Sequence, residues 1–312
     1  MIIYAVNIHT GGGRILLDTL LSKNPFEPTS AAFIDARYVP PTGSPIEFFR
    51  IPARIWSRFK SEFLLAEFSA KNPQEEILFF GNLPPFFKKT GRSVLYLQNC
   101  FLTRQVPLPK DSLKTFIRTW LESKIIYFFH RNVDEIWVQT EWMKMASARY
   151  LPKAKISVKP ILPLLPAPNS AIQKKFDFIY VGSFMFHKRL DFFFEALKLL
   201  DNEKTDLKVA IVLDNLEQID FLREKNLFIH IEIQYFNNVS RETLAELYQM
   251  SYNFVATSLY ESFLLPIYEA DFYGCHLILP QAGYTEHLPM KFTVYPTNSV
   301  SELTNKLRTC LK

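Results

Sequence analysis

The segment FDFIYVGSFMFHKRLDFFFEALKLL (176–200) carries the pattern from which the architecture can be read. Its first part, FDFIYVGS (176–183), is rich in aromatic and β-branched residues, which is typical of a buried strand. A short turn with Lys188 and Arg189 follows, and DFFFEALKLL (191–200) reads as a helix. A strand, a turn and a helix in this order predict one unit of a parallel sheet that is covered by helices.

The same alternation runs through most of the chain. The opening strand is IIYAVNI (2–8), and SRETLAELYQM (240–250) is another predicted helix. This alternation predicts an α/β protein whose parallel, doubly wound sheets carry helices on both faces. The other predicted strands are AAFIDARY (31–38), EILFFGN (76–82), SVLYLQN (93–99), EIWVQTE (135–141), KVAIVLD (208–214), IHIEIQYF (229–236), YNFVATS (252–258), HLILPQAG (276–283) and FTVYPTN (292–298).

A proline-rich segment, VKPILPLLPAPNS (158–170), separates the two sets of strands. Four prolines in so short a span fit neither a helix interior nor a central strand, so the segment is predicted to be an extended linker. We therefore expect two Rossmann-like domains, residues 1–163 and 164–312. Two doubly wound domains joined by a stiff linker leave a cleft, and ligands usually bind in such a place.

The composition narrows the class of protein. With 312 residues, 48% hydrophobic and 21% charged, the chain is expected to be globular. Its apolar runs are too short to cross a bilayer, and its first residues do not read as a signal peptide. The three cysteines match no metal or redox spacing. These features together predict a cytoplasmic protein.

Charge is distributed unevenly along the chain. Residues 1–163 carry 22 Lys and Arg against 13 Asp and Glu, a net charge of +9, whereas residues 164–312 carry 14 against 18, a net charge of −4. A basic first half suggests an anionic partner, such as a membrane surface or a nucleic acid. An uneven but idle surface is the alternative. No nucleic-acid recognition motif is present, and the acidic second half argues against that partner.

Seven residues separate two glutamates in ESFLLPIYE (261–269). Pro266 fits the first turn of a helix, so Glu261 is predicted to lie in a loop and Glu269 one turn into the helix. The amide groups and dipole at a helix start suit a phosphate, and an acid nearby can accept hydrogen bonds from a ribose diol. The plain alternative is that acids near a helix start simply complement the dipole.

A glycine-rich turn occurs near the start of the chain, in NIHTGGGRILLDTLL (7–21). It is predicted to join a strand to a helix, and glycines there let the backbone approach a ligand closely. A tight strand-to-helix connection without a ligand is the alternative.

Taken in order, the carboxyl-terminal motifs resemble the retaining GT-B glycosyltransferases, specifically glycosyltransferase family 4, the "glycosyl transferases group 1" set. That family typically has a VGR…EKG-like turn after a strand. An EGFGLP…EA segment, in which seven residues separate the two glutamates, comes later in the chain, and a GG..E segment follows it. The resemblance covers about residues 176–290 well and the first half loosely. It implies the GT-B fold, in which two Rossmann-like domains face each other across a cleft.

The resemblance also implies roles for residues of the second domain. Lys188 matches the lysine that neutralises the donor diphosphate, Glu261 the acid near the transferred sugar, and Glu269 the acid that binds the nucleotide ribose. The remaining donor contacts that it implies are the backbone of Phe263, Leu264 and Leu265 near the sugar and phosphate, and the turn from Asn237 to Val239 near the base.

In the first domain the resemblance is looser. Gly12 and Gly13 match the glycine loop that closes onto the donor phosphate or the acceptor. The family often has a histidine after a later strand, where this chain has Gln98 and Asn99. These amides are expected either to bind sugar hydroxyls or only to cap the strand end.

The chain departs from the family at the turn after the strand 176–183. A basic residue usually stands five positions before the lysine, and here that position is Ser183. Arg189 is expected to supply the missing charge to the donor if its side chain turns into the cleft; otherwise it is a solvated residue at a helix start.

The sequence contains no Asp-x-Asp pair, which other glycosyltransferases use to hold a divalent metal on the diphosphate. We therefore expect no metal and no other cofactor, the nucleotide-sugar being a substrate. Lys188, Arg189 and helix amino termini would then stabilise the leaving group. The resemblance implies that the anomeric configuration is retained.

Two segments of the first half mix aromatic and basic residues, at 50–71 and 112–131. Basic amphipathic helices fit peripheral binding to anionic lipid at the inner face of a membrane, with a glycan or lipid-linked acceptor. Helices that pack their aromatic stripes into the domain core are the alternative.

The leading hypothesis is a metal-independent retaining glycosyltransferase that uses a UDP- or GDP-sugar in cell-surface polysaccharide synthesis of the O-antigen or capsule type. The second hypothesis is a non-catalytic nucleotide-sugar-binding module that assembles with other enzymes, which Ser183 keeps open. A nucleotide-sugar epimerase is a third hypothesis with less support.

Overall fold

The computed structural model describes residues 1–41, 43–108, 112–225 and 227–311, which form two compact units. The amino-terminal unit spans Met1–Leu164 and the carboxyl-terminal unit spans Leu165–Lys312. The predicted boundary after residue 163 differs from this division by one residue. Each unit is a parallel sheet with helices in its crossovers, so the predicted α/β class with two Rossmann-like domains is confirmed.

The amino-terminal unit contains a seven-stranded sheet of order β3-β2-β1-β4-β5-β6-β7, and every pairing in it is parallel. Its strands are β1 (Ile2–Ala5), β2 (Ala31–Asp35), β3 (Glu47–Ile51), β4 (Ile77–Phe80), β5 (Ser93–Tyr96), β6 (Glu135–Val138) and β7 (Ile156–Val158). Its helices are α1 (Gly11–Lys23), α2 (Ile55–Lys71), α3 (Leu113–Phe129) and α4 (Glu141–Tyr150).

Connections between parallel strands are right-handed, which assigns these helices to faces of the sheet. The chain moves toward β7 through α2, α3 and α4, so these three helices cover one face, whereas α1 leads the other way and covers the opposite face. Helices α2 and α3 are therefore neighbours on one side of the amino-terminal unit.

The carboxyl-terminal unit contains a six-stranded parallel sheet of order β10-β9-β8-β11-β12-β13. Its strands are β8 (Phe176–Val181), β9 (Leu207–Leu213), β10 (Ile231–Asn237), β11 (Ser251–Val255), β12 (His276–Pro280) and β13 (Phe292–Tyr295). Its helices are α5 (Leu190–Asn202), α6 (Leu216–Lys225), α7 (Arg241–Gln249), α8 (Leu265–Phe272) and α9 (Val300–Thr309).

The strand order of this second sheet determines where a crevice opens at its edge. From β8 the chain runs outward to β9 and β10, then returns to β11 on the other side of β8. The connections after β8 and β11 thus leave in opposite directions, which opens a crevice beyond the carboxyl ends of these two strands. The residues that follow Val181 and Val255 are therefore brought to one place.

Burial explains why the predicted strands form. The residues of β8, β9 and β12 are mainly buried, as expected for strands covered on both faces. Helix α5 is held on this sheet by a row of buried side chains, among them Phe193, Leu197 and Leu200. Such a row recurs every three or four residues and gives the helix one broad apolar side.

The structure differs from the sequence prediction at strand ends and at two strands. Most predicted strands ran past their observed carboxyl ends because the loop residues that follow, as after Val181 and Val255, continue the extended pattern. Strands β3 and β7 were not predicted. Both lie at sheet edges and are half-exposed, and β7 has only three residues at the start of the proline-rich segment, so neither has a strong apolar signal.

Candidate functional site in the carboxyl-terminal unit

The crevice beyond β8 and β11 holds an ion pair between two of the predicted site residues. Lys188 Nζ donates a hydrogen bond to Glu261 Oε1, although 73 residues separate them in the chain. Both side chains are largely buried. Lys188 ends a short 3-10 turn (Phe186–Lys188) after β8, and Glu261 lies in the loop between β11 and α8. The switch in strand order is what brings them together.

Backbone and side-chain hydrogen bonds fix the turn against the loop. Thr257 Oγ1 donates to the Lys188 carbonyl at 2.7 Å, and the Leu259 amide donates to the His187 carbonyl at 2.8 Å. Tyr284 and Tyr295 donate their hydroxyls to the carbonyls of Ser258 and Ala256. The loop that carries Glu261 is thus attached to the turn that carries Lys188 and to two neighbouring strand ends.

The surroundings of this ion pair are of low polarity. Burial raises the pKa values of Tyr180 and Tyr284 well above the ordinary value for tyrosine. The nearby negative charge of Glu261 raises both pKa values further. Both phenols therefore stay neutral at physiological pH and act as hydrogen-bond donors. The charges of the Lys188–Glu261 pair act more strongly in these surroundings than they would in water.

Helix α8 begins at the edge of the same crevice. Leu264 stands at its amino cap with a left-handed backbone (φ 43°), and among the described residues no side chain caps this helix end. Phe263 and Leu264 are buried, and the Phe263 ring stacks on Tyr268 at 4.4 Å. Their side chains hold the loop in place, so any contact they make with a ligand would come from the backbone, as expected from the sequence.

Glu269 is almost completely buried within α8 and has two donors. Arg241 Nη1 lies 2.7 Å from Glu269 Oε1, and the Tyr248 hydroxyl donates to Oε2 at 3.0 Å. Burial, and then the charge of Glu269, raises the pKa of Tyr248 well above its ordinary value. A buried carboxylate is tolerated here because a guanidinium and a phenol satisfy both of its oxygens.

Arg241 was not singled out from the sequence. It is the first residue of α7, just after the Ser240 cap, and its side chain is only partly exposed. A basic residue at a helix start is unfavourable, because it lies next to the positive end of the helix dipole. An arginine in that position therefore indicates that an acid elsewhere in the fold pairs with it. The partner itself lies 28 residues away and cannot be identified without the fold.

The turn predicted to contact the base precedes Arg241. Asn237 ends β10 and is exposed, Asn238 has a left-handed backbone (φ 45°), and Val239 is half-buried. Asparagine adopts this backbone more readily than most residues, which accounts for its place in the turn. Arg241 thus joins this turn to Glu269, because it lies just after the turn and its guanidinium binds the Glu269 carboxylate.

Arg189 points elsewhere in this structure. Its guanidinium donates to the Thr297 carbonyl at 2.6 Å and lies over the Phe192 ring at 4.0 Å. These contacts bind it to the segment before α9, within its own unit. Its expected contribution to the donor remains a prediction that would need this side chain to move.

The predicted residues of the amino-terminal unit lie at the carboxyl ends of β1 and β5. Gly12 and Gly13 open α1, and a Cβ atom on Gly13 would lie 3.7 Å from Gln98 Oε1. Gln98 Nε2 is buried and has no hydrogen-bond partner among the described residues. Asn99 accepts the Phe101 amide at 3.0 Å, so it caps a 3-10 turn, which is the structural alternative considered from the sequence.

A histidine and an acid lie beside this glycine turn. His9 Nδ1 is 3.9 Å from Asp35 Oδ2, and Asp35 is fully buried at the end of β2. Arg37 donates to both oxygens of Asp35 and holds the pKa of that carboxyl below its usual value. The sequence indicated only an ordinary role for His9. Among the described residues, no group of three or more His, Cys, Asp or Glu side chains is arranged to hold a metal ion.

Comparison with known families confirms the resemblance to the "glycosyl transferases group 1" set. Residues 165–312, just under half of the chain, match the family model described as "Glycosyl transferases group 1". The predicted Lys188, Glu261 and Glu269 all fall in the matched region. No curated protein sequence is detectably similar to the chain.

Solved structures of glycosyltransferases share the two-domain fold, which confirms the predicted GT-B class. HepE of Anabaena, solved with UDP and glucose, has a TM-score of 0.66 at 14% identity and covers 99% of this chain and 89% of its own. WaaG, a glycosyltransferase involved in lipopolysaccharide biosynthesis, gives 0.65 at 14% identity with 99% and 90% covered. TarM gives 0.59 at 14% identity over 79% of this chain, which spans about half the length of TarM (50%).

Proposed function

We propose that this protein is a retaining glycosyltransferase that takes a sugar from a UDP- or GDP-sugar. The Lys188–Glu261 pair, at the switch in strand order of the second sheet, is the observation that carries the proposal. Parallel sheets bind nucleotides at such a switch, and the family match covers this region. At this position the Lys188 ammonium can exchange the Glu261 carboxylate for the diphosphate of a donor.

In this proposal Lys188 neutralises the donor diphosphate, aided by the amides at the start of α8. Glu261 lies beside the transferred sugar, and Glu269 accepts hydrogen bonds from the ribose. The bond between the sugar and the diphosphate breaks with its electron pair leaving on the phosphate, and the acceptor hydroxyl bonds to the same face of the sugar. The acceptor proton passes to the departing diphosphate. Fixed charges and amides that stabilise developing negative charge account for large shares of such rate enhancements.

The donor seat is proposed to work without a metal ion. Its anionic groups are Glu261, which is paired with Lys188, and Glu269, which is paired with Arg241. The local charge is therefore balanced before the donor binds, and the diphosphate requires cations and amides from the protein. Gly12, Gly13 and Arg189 remain proposed donor contacts, and Gln98 and Asn99 remain proposed contacts of the sugar or the acceptor.

The acceptor is proposed to be a glycan or a lipid-linked glycan in cell-surface polysaccharide synthesis. HepE binds UDP and glucose, and WaaG acts in lipopolysaccharide biosynthesis, so this fold serves related chemistry in other proteins. The proposed location is the cytoplasm, at the inner face of a membrane.

Thermal unfolding with a panel of UDP- and GDP-sugars tests the donor site, together with an assay for slow donor hydrolysis. We expect one donor to raise the melting temperature, and Lys188→Met to abolish the rise. Lys198→Met is the matched control, because Lys198 is exposed on α5 and pairs only with its helix neighbour Glu195. No response to any donor, or the same response in the wild type and Lys188→Met, would refute the assignment.

The non-catalytic alternative is separated by the second assay. Ser183 stands where the family usually has a basic residue, which is the observation that favours it. A donor that stabilises the protein but is neither hydrolysed nor transferred to any glycan acceptor would support a binding module. Turnover that Glu261→Gln slows about a hundredfold, while Lys198→Met does not, would support the enzyme.

A further inference from the structure

Helix α3 presents an apolar side to solvent. Its buried residues are Thr119, Ser123 and Ile126, two of which are small and polar. On the opposite side stand four large apolar residues, the first three one helical turn apart and the fourth two turns further on, with Leu113 74% and Phe128 68% exposed. This orientation is the reverse of the usual amphipathic helix, which turns its apolar stripe to the core. The outward apolar residues are Leu113, Ile117, Leu121 and Phe128.

Exposed aromatic residues of α2 and of the β4–β5 loop extend this surface. Trp56 is 77% exposed, and Phe63 and Phe87 are also exposed and lie 6.0 Å apart, measured between ring centroids. A chain of half-buried aromatic contacts connects the two helices beneath them. The Phe86 ring stacks on Phe59 of α2 at 4.6 Å and meets Phe129 of α3 at 5.3 Å. We call the surface formed by Trp56, Phe63, Phe87 and the four outward residues of α3 the aromatic face.

The loop that carries Phe87 is held rigidly from below. Glu62 of α2 is fully buried, accepts the Phe86 amide at 2.9 Å, and pairs with the buried Lys89 at 3.5 Å. Lys89 also donates to the Glu62 carbonyl at 2.9 Å. The exposed Phe87 thus lies between two residues that are fixed to α2, so its exposure is built into the loop.

Cations surround the aromatic face and enter it. Lys114 and Lys124 are exposed on the outward side of α3 itself, and Lys124 Nζ lies 5.8 Å from the Trp120 ring. Of the acids on α2 and α3, Glu62 is buried, Glu122 is half-buried beside Arg118, and Glu67 is exposed. Other exposed cations on or next to these elements include Arg54, Lys60, Lys71, Lys88, Arg118 and Arg131.

We propose that the aromatic face binds the surface of an anionic lipid bilayer. Apolar side chains reach past the lipid headgroups, while lysines on long flexible stems contact the anionic phosphates around them. A protein partner fits less well, because the cores of protein interfaces are depleted in lysine. A second copy of the chain would bring the same positive charges face to face.

The helix would lie in the membrane surface. No helix in the described part of the chain is long and apolar enough to span a bilayer. Helix α3 has 17 residues, a length of about 25 Å. Its inner side packs on the 3-10 turn Cys100–Thr103 and on α4, where Ser123 Oγ lies 2.9 Å from the Tyr150 hydroxyl, so it is presented ready-formed and does not have to fold on contact with lipid.

Co-sedimentation of the full chain with vesicles tests the proposal. We expect strong binding to an equimolar mixture of phosphatidylcholine and phosphatidylglycerol, weak binding to phosphatidylcholine alone, and loss of binding as salt is raised. The variant L121S/F128S should bind anionic vesicles about tenfold more weakly, because it removes two inserted apolar side chains. Its melting temperature should stay at the wild-type value, since both side chains are exposed.

The control is L227S/I229S, which removes two even more exposed apolar side chains (86% and 88%) from the carboxyl-terminal unit. It should bind vesicles like the wild type. Equal binding by the two double variants, no binding by the wild type, or a wild-type dimer that L121S/F128S dissociates would each overturn the proposal. The test does not involve a donor or turnover, so its outcome is independent of the proposed transferase activity.

Discussion

Replacing Lys89 by methionine tests the buried ion pair that supports the β4–β5 loop. Lys89 and Glu62 are both buried, and their charged atoms lie 3.5 Å apart. Burial raises the pKa of Glu62 and lowers that of Lys89, while the attraction between the two opposes each shift. The folded protein therefore holds a carboxylate that would be costly without its partner.

The expected cost can be worked out from the contacts that remain. Removing one partner of a buried pair typically costs about 3 to 5 kcal/mol. In Lys89→Met, Glu62 keeps the Phe86 amide at 2.9 Å and the Arg58 guanidinium at 3.6 Å, which places the expected loss at the lower end, near ~3 kcal/mol. For a unit of this size that is a fall in melting temperature of roughly 6 to 12 °C.

The loss should depend on pH with a definite sign. Without Lys89 the pKa of Glu62 in the folded state rises further above its ordinary value of 4.5. An acid with a raised folded pKa binds its proton more readily when folded, so the penalty is absent below pH 4.5 and grows as pH rises through the folded pKa. We therefore expect Lys89→Met to approach the wild type in acid and to fall furthest behind at neutral pH.

Tryptophan fluorescence during urea unfolding is the appropriate assay. All 4 tryptophans (residues 56, 120, 137 and 142) lie in the amino-terminal unit, so the signal reports the unit that contains the pair. Lys88→Met is the matched control, because it removes the same charge from the exposed neighbouring lysine. The reasoning is refuted if the two variants unfold alike, or if the loss in Lys89→Met is the same at every pH.

Three further outcomes are expected. In a double-mutant cycle of Arg241→Met and Glu269→Gln, unfolding is followed by circular dichroism. We expect a coupling energy of about 1 to 2 kcal/mol, because the carboxylate is buried. Additive losses of unfolding free energy in the double variant would contradict the ion pair. Tyr248→Phe should cost about 1 to 2 kcal/mol, since it leaves the second oxygen of Glu269 without its donor, and unchanged stability would show that water replaces it. Gly91→Ala should cost about 1 to 3 kcal/mol, because its φ is 82° and the new Cβ would lie 3.1 Å from the Pro73 carbonyl. Gly43→Ala, at φ 74° with no neighbour within 4 Å, should cost less, and equal losses would show that backbone strain alone is responsible.

Most of the fold was predictable because the strands of a doubly wound sheet are buried on both sides. The apolar runs at Phe176–Val181 and Leu207–Leu213 need no partner to be recognised, and the prolines after Val158 mark the boundary between units. Strand β3 could not be read in the same way, because an edge strand is half-exposed and its residues alternate weakly. Predicted strands overran where polar loops continue the extended backbone.

The candidate site was predictable in part because its motifs follow one another in a recognisable order along the chain. Lys188, Glu261 and Glu269 lie in a family segment whose order along the chain is informative, and the family match covers them. The partner of Glu269 was missed, because Arg241 begins a different helix and nothing in its local sequence points to α8.

By itself the sequence determined the α/β alternation, the division near residue 163 and the order of the carboxyl-terminal motifs, since these depend on local burial and on residues close together in the chain. Only the tertiary structure decided which charges meet and which side of α3 faces outward. A helical repeat gives the spacing of apolar residues but not the direction in which they point. That direction depends on which side of the helix packs against the rest of the unit. Lys188 likewise acquires Glu261 as its partner only when parallel strands bring two distant loops to one edge.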